Sequence, residues 1–465
     1  MLDVSPEEIT DGPLGRALAV LAAPMVVQHL VLVGQQVVDV FWVGRLGGEA
    51  VAAIGLIAPV VGLLGVGTRI GSAGGQVLVS QRIGADDPSA ARRAATHAIG
   101  FAAGTNVVLA AVVSLTAGSI VGLFDPGGTV ASLAASYLAV LAFSNVFSGV
   151  SDMVEASYVG AGDSRTPMVL NFLAIGVNLG LDPFLIFGWG PFPQLGIEGA
   201  ALATLIGYGT SAVVGLTLLF SSYTGFSLRL DSFRPDSGTA RELLEIGLPA
   251  GGQSAARQFA RLVVVWVVST VGGGAALAAY TIGARIATVV FVPAQALGSA
   301  STTVVGQNLG ADRPDRATRA TWLGVGAGAI GLGLLGVGQW LFPTTLAELF
   351  VPGIGGETLA FTVTYLQILA YGYWALGTIY TVQAGFDGAG RTEIGMYATM
   401  LQYWAVRVPL AAAGAFLLGM GVSGPFWAIT VSNVVAALGL VGYFWRSTDD
   451  GMLRRAAENA SASAD

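Results

Sequence analysis

Between short polar breaks the chain runs apolar for about twenty residues at a time, about twelve times over, and that is the length a helix needs to cross a bilayer. Inside lipid every backbone N–H and C=O must find its partner within the protein, so only helices or a closed barrel can span. A barrel would show alternating strands of about ten residues, and none are present. Apolar residues make up 54% of the chain and charged ones 11%, far from the balance of a soluble domain. Breaks fall near 44–50, 84–89, 124–129, 161–167, 188–196, 221–240, 271–275, 310–315, 342–357, 387–393 and 418–424. The reading is an all-α polytopic membrane protein of about 12 transmembrane helices.

The spans come in two sets. QRIGADDPSAARRA from Gln81 returns as QNLGADRPDRATRA from Gln307, and 307 − 81 = 226. The same offset carries Arg165-Thr166 onto Arg391-Thr392 and Pro183 onto Pro409. Nearer the starts of the halves it slips by one, because 249 − 24 = 225 for the prolines Pro24 and Pro249. A repeat this long is a duplicated half-protein. All 21 basic residues are Arg, and fifteen of them lie at the termini or in alternate loops: 82–93, 165, 229–241, 313–319, 391 and 446–455 among them. The intervening loops carry only Arg45, with Asp125, Glu348 and Glu357 as acids. By the positive-inside rule both termini and the inter-half linker are cytoplasmic, so each half has an even number of spans and the repeat is parallel. The expected organisation is a cytoplasmic N-terminus 1–13, a first lobe 14–220, a linker 221–238, a second lobe 239–446 and a polar, frayed tail 447–465. Asp3, Glu7, Glu8 and Asp11 stand where a cleaved signal would need basic residues.

Several chemistries fall away. With no Cys there is no thiolate nucleophile, disulfide or iron–sulfur cluster. Two His residues, His29 and His97, make no His-rich metal site, and without Lys there is no Walker A loop. The 67 Gly residues read as places of close helix approach.

What remains is carboxylates inside the spans, which are costly there and mark sites. Asp39 lies in the first span, Asp152 and Glu155 in the fourth, and Asp182 in the fifth. Their repeat equivalents are Val264 or Val265, Thr378, Thr381 and Val408. Packing cannot require the acids, since the second copy does without them. Asn178 and Asp182 stand i, i+4 on one helix face, and Thr204 in the sixth span adds a hydroxyl. That all-oxygen set suits a hard cation such as Na⁺, or the two acids can carry a proton instead. Pro183 disfavours helical geometry at Asp182, and Pro24 reads as a kink or hinge about four turns before Asp39. Glu155 either joins the polar cavity or pairs with Arg165. Gln253, Arg257 and Arg261 in the seventh span either line a polar cavity or serve structural pairings.

The 6+6 repeat, the QxxGA turns at 81–88 and 307–314, GAGDSRTP at 160–167, Pro24 with Asp39, and the DP pair at 182–183 together resemble the multidrug and toxic compound extrusion (MATE) family, over roughly residues 14–446. The resemblance implies a V-shaped pair of six-helix lobes and no enzymatic activity. It implies efflux of organic cations or amphiphiles against inward Na⁺ or H⁺ across the cell membrane, with no cofactor beyond that ion. Partners would be small molecules and membrane lipid, not nucleic acid, and the carrier a monomer. Asp39, Asn178 and Asp182 fall on the family's first-lobe cation site, with Thr204 as fourth ligand and Pro24 as the bending proline. Residues 248–270 and 359–386 contain no acid, which matches the DinF-like branch. The net charge of −7 and the absence of Lys point to a high-GC halophile such as a haloarchaeon. A lipid-linked sugar flippase of the same superfamily and a non-transporting membrane receptor are the alternatives. The flippase would carry about two more spans, and the receptor would show ligand-bound signalling without flux.

Overall fold

Polar turns cut the apolar sequence into helices, and acidic residues start several of them. The chain is seen in a computed structural model that describes residues 6–122, 128–221, 225–351 and 353–462. Asp3, Asp125 and most of the expected break at 124–129 fall outside those residues. The helices of the first half are α1 (Pro6–Asp11), α2 (Leu14–Gly44), α3 (Gly48–Gly84), α4 (Pro88–Gly122), α5 (Gly128–Gly160), α6 (Arg165–Phe187) and α7 (Ile197–Phe220). The second half has α8 (Ser237–Gly310), α9 (Pro314–Leu341), α10 (Pro343–Phe350), α11 (Gly356–Ala370) and α12 (Tyr373–Gly388). It continues through α13 (Thr392–Met400) and α14 (Val408–Ala412) to α15 (Ser423–Asp449) and α16 (Met452–Ala462). The Asp87 carboxylate accepts the N–H groups of Ser89 and Ala90 as α4 begins. Asp163 does the same for Arg165 and Thr166 at the start of α6. Each satisfies orphan donors of a first turn.

Among the described residues, nine helices are long and apolar enough to cross a membrane. The 74-residue α8 is two of these spans end to end, because Gly273 breaks it at φ 57, ψ −152, a conformation open essentially to glycine alone. α11 and α12 form one more span, bent by 50° at Tyr371–Gly372. The last comes from α13, a π-helical stretch Leu401–Arg407, α14 and a second π stretch Ala413–Leu417, which follow one another without a gap. Counted this way the described residues hold twelve helical segments of crossing length, the number hydropathy predicts. The bend and the π stretches were not expected. Large apolar side chains such as Leu115 (88% exposed) and Leu417 (81%) face outward, as they must in lipid.

The chain forms two compact units. The first comprises Met1–Asp3, Pro24–Val79 and Asp87–Gly251, and in it α4 packs on α5, and α5 and α6 on α7. Its core runs from Val43 and Ile57 through Leu138 to Ile186. The second comprises Val4–Ala23, Ser80–Asp86 and Gly252–Asp465, with α9 and α15 packed on α12. Along α2 the division falls at Pro24, and along α8 it falls two residues past Pro249.

The repeated QxxGA motif is explained within the second unit. Its two copies pack against each other: a Cβ on Gly84 would strike the Gln307 carbonyl, and one on Gly310 would strike that of Gln81. Each of those carbonyls already accepts a bond, from Ala311 at 3.0 Å and Ala85 at 2.9 Å. The residue after each GA is an Asp in the left-handed region, Asp86 at φ 57 and Asp312 at φ 55. Aspartate tolerates that region better than most side chains. The motif is a reciprocal packing contact.

The linker is held in place: Thr96 donates to the Ser232 carbonyl at 2.8 Å, and the Asp236 N–H donates to His97 Nε2 at 3.1 Å. Two local expectations are corrected. The tail is not frayed over 452–462: α16 buries Leu453 and Ala457 in the second unit's core, because its small and apolar residues fall on one face. Finally, α6 continues as helix through Asp182 and Pro183, its neighbours in the unit holding the turn that proline alone would loosen.

Candidate functional site

In the first unit α2 and α6 present matching faces. Gln28, Gln35 and Asp39 are spaced by 7 and 4 residues along α2, and Asn171, Asn178 and Asp182 are spaced by 7 and 4 along α6. Both sets therefore line one side of their helix. The structure joins them level by level. Gln28 and Asn171 both donate to Glu155 of α5, at 2.9 and 2.5 Å. Gln35 donates to the Asn178 carbonyl at 2.6 Å. Asp39 and Asp182 lie within hydrogen-bonding reach of one another. Five of the six side chains, Gln28, Gln35, Asn171, Asn178 and Asp182, are buried.

Asn178 is the centre of the expected cation set. Its amide lies 2.6 Å from Gln35, 3.3 Å from Asp39 Oδ1 and 3.4 Å from the Thr204 hydroxyl. Thr204 donates its own hydroxyl hydrogen to Ala200 at 3.0 Å, so oxygen lone pairs point at the site. Two buried oxygens here have no protein partner, Asp182 Oδ2 and Gln35 Oε1. A buried acceptor left unpaired is costly. Two carboxyl groups this close also repel when both are ionised, and a proton or a cation between their oxygens would relieve that repulsion. The donor set of carboxylate, carboxamide and hydroxyl oxygens fits Na⁺ by chemistry.

A second carboxyl pair sits on α5. Glu155 takes, besides Gln28 and Asn171, a bond from Ser151 at 3.4 Å, and Ser151 meets Ser211 at 2.9 Å. The expected alternative pairing with Arg165 is not made; amides occupy the carboxylate instead. Asp152 stands next to Glu155 and makes no hydrogen bond among the described residues. Tyr208 lies within electrostatic range of Asp152, Glu155 and Asp39, and Tyr137 within range of Asp39 and Asp182. Gln28, Gln35, Asn171, Tyr137 and Tyr208 were missed by sequence reasoning, although the shared 7 and 4 spacing was a usable signal for the first three.

Gln253, Arg257 and Arg261 belong to the second unit. Gln253 ties helices there, donating to the Gly395 carbonyl at 3.2 Å and to Thr399 at 3.0 Å. Where the first unit has Asp152 and Glu155, Thr378 and Thr381 bond carbonyls of their own helix. His29 does likewise with Met25 at 2.7 Å.

The profile of the MatE family matches residues 24–184 and again 249–413, one copy in each half. A probable multidrug resistance protein NorM of Thermotoga maritima is 25% identical over 431 residues, 92% of this chain and 91% of its own. The Pseudomonas aeruginosa protein of the same name is 29% identical over 459 residues, covering 96% and 92%. An FAD transporter of Shewanella oneidensis is 26% identical over 439 residues, covering 94% and 95%. Among solved structures, an outward-facing multidrug resistance MATE family transporter superposes with a TM-score of 0.86 at 25% identity, over 97% of this chain and 99% of that one. A MOP superfamily transporter from Pyrococcus furiosus gives 0.90 at 24%, over 97% and 99%.

Proposed function

Since the chain belongs to the MATE family of multi-pass membrane transporters, we propose that it is a secondary active efflux carrier whose first unit couples export to inward Na⁺ or H⁺. It is a carrier and not an enzyme. Its substrates in this reading are organic cations or amphiphiles, and its termini face the cytoplasm, as the arginine distribution supports. Asp39, Asn178, Asp182 and Thr204 form the coupling site. The single observation that carries this is the convergence of two carboxyl groups and the Asn178 amide on one spot that leaves the buried Asp182 Oδ2 without a protein partner.

A bound cation would supply the positive charge that lets both carboxylates stay ionised and close. The chain's residues do the rest. Asp39, Asp182, Asn178 and Thr204 would supply the oxygens that hold it. Asp39 rides on α2, which passes from one compact unit to the other at Pro24, so a change in its position bears on a helix shared by both. Pro24 lacks the N–H that would stiffen that turn and is the hinge of this reading. A cation shifts the carrier between states only through its different affinity for them.

The test is flux in proteoliposomes. Ethidium movement driven by a Na⁺ gradient or a pH gradient, and lost in Asp39→Asn, is the expected result and names the ion. Gradient-driven movement that survives in Asp39→Asn refutes the site. No movement under either gradient refutes cation-coupled export of such dyes and brings the lipid-flippase alternative forward.

A further inference from the structure

The second unit has a polar centre of the opposite sign. Arg257 and Arg261 stand i, i+4 on α8. With the offset of 225 set by the prolines they correspond to positions 32 and 36 of α2, about two turns and one turn before Asp39. With the offset of 226, Arg407 corresponds to position 181, next to Asp182. At the level where the first unit places acids, the second places guanidinium groups.

Arg407 is built in. It is 8% exposed and ends the π-helical stretch Leu401–Arg407, a geometry common at functional sites. Its Nε donates to Ser432 at 2.8 Å, its Nη2 donates to Asn433 at 2.5 Å, and its plane lies 3.9 Å over the Tyr403 ring. Those bonds use two of its five N–H groups. Trp404 ties the same stretch to the Ala256 carbonyl, the residue before Arg257, at 3.2 Å. Arg257 is half-buried and Arg261 exposed, so the cluster is open on the α8 side. Arg261 and Arg407 are close enough to act on Tyr280 and Tyr365, whose rings are 5.6 Å apart.

None of the three arginines has a carboxylate partner among the described residues; the ion pairs present all lie elsewhere. Buried or membrane-depth guanidinium without a counter-charge is costly. The fork of an arginine matches carboxylate and phosphate oxygens two at a time, and tyrosine rings suit a flat apolar body. We propose that Arg257, Arg261 and Arg407 form an anion subsite that holds the carboxylate or phosphate group of an aromatic amphiphile against the tyrosines. It is separate from the coupling site and does not depend on it.

The test uses the full chain in zwitterionic micelles and two dyes with the same ring system, anionic fluorescein and cationic rhodamine 6G, read by fluorescence anisotropy. Arg257→Gln/Arg261→Gln should bind fluorescein about 10- to 100-fold more weakly, the loss of one or two charge-assisted bonds, with rhodamine 6G affinity unchanged. Arg407→Gln, checked for folding by gel filtration, should do the same. Asp39→Asn should leave fluorescein binding intact, which separates this site from the coupling site. Displacement of fluorescein by FMN marks a soluble anion as ligand, and displacement by phosphatidylglycerol alone marks a lipid headgroup; either supports the subsite. Wild type that does not bind fluorescein, a double variant that binds it like wild type, or equal loss of both dyes overturns the proposal.

Discussion

Gly310→Ala tests whether the repeated QxxGA motif is packing. Two effects oppose each other. Alanine favours a helix interior over glycine by about 1 kcal/mol. Against it, the new Cβ would strike the Gln81 carbonyl oxygen and come within 2.8 Å of the Ala85 nitrogen. Both atoms are backbone, and they are bonded to each other at 2.9 Å, so neither can rotate away. The helices must part, and overpacking of this kind costs about 3 kcal/mol or more when backbone cannot yield. The net loss of about 2 kcal/mol lowers the melting midpoint by roughly 4–8 °C for a cooperative unit of 150–250 residues. Gly331→Ala is the matched control, because nothing lies within 4 Å of its would-be Cβ. The assay is thermal unfolding in detergent followed by fluorescence-detected gel filtration. Gly310→Ala melting together with Gly331→Ala would refute the reciprocal contact.

The remaining predictions concern side chains. Gln35→Met removes the 2.6 Å bond that orients Asn178 and should weaken cation affinity at least tenfold, about the effect of losing a second-layer ligand partner, while Met→Gln reversion restores it; radioactive Na⁺ or proton-uptake titration reads this. Asp152→Asn should slow dye efflux less than Asp39→Asn does, since Asp152 makes no hydrogen bond among the described residues; equal loss would move it into the coupling site. Asp236 starts α8 by accepting from the Thr239 hydroxyl at 2.6 Å and the Gly238 N–H at 3.0 Å, and the Thr239 bond is the main reason its carboxyl sits below the usual aspartate range. A depressed folded value stabilises the protein above the unfolded one, about pH 4, and the stabilisation is lost as pH falls through the folded value. Asp236→Ala should therefore cost about 1 kcal/mol at pH 7 and much less at pH 3, read as the gap between melting midpoints.

Much of the fold was legible because lipid leaves a chain few options. Apolar run length marked the spans, and the repeat marked two halves that each match the family profile. The bend at Tyr371–Gly372 and the π stretches at 401–407 and 413–417 were not legible, because hydropathy does not register how a helix's carbonyls are paired. The α16 helix was hidden by its polar composition: Leu453 and Ala457 count as apolar only once folded onto one face. At the site, Asp39, Asn178, Asp182 and Thr204 stood out because acids in a membrane are costly and the second copy lacks them. Gln35 and Asn171 did not, since amides are common between membrane helices and signify only when a matching spacing on another helix is set beside them. The asymmetry between the copies had a second half that composition conceals: Arg407 replaces a leucine, Leu181, at the equivalent position. Arg257 and Arg261 were legible as cavity candidates, and Arg407 was not.

The central claim is that export is coupled through the pocket of Asp39, Asn178 and Asp182, and the most direct check is cation release on substrate binding. Purified carrier in weakly buffered detergent, titrated with ethidium, would be followed with a pH indicator and a Na⁺ electrode. Release of H⁺ or Na⁺ from wild type, and none from Asp39→Asn or Asp182→Asn while ethidium still binds, is the predicted result. Ethidium binding to wild type without cation release, or the same release from the variants, would contradict it.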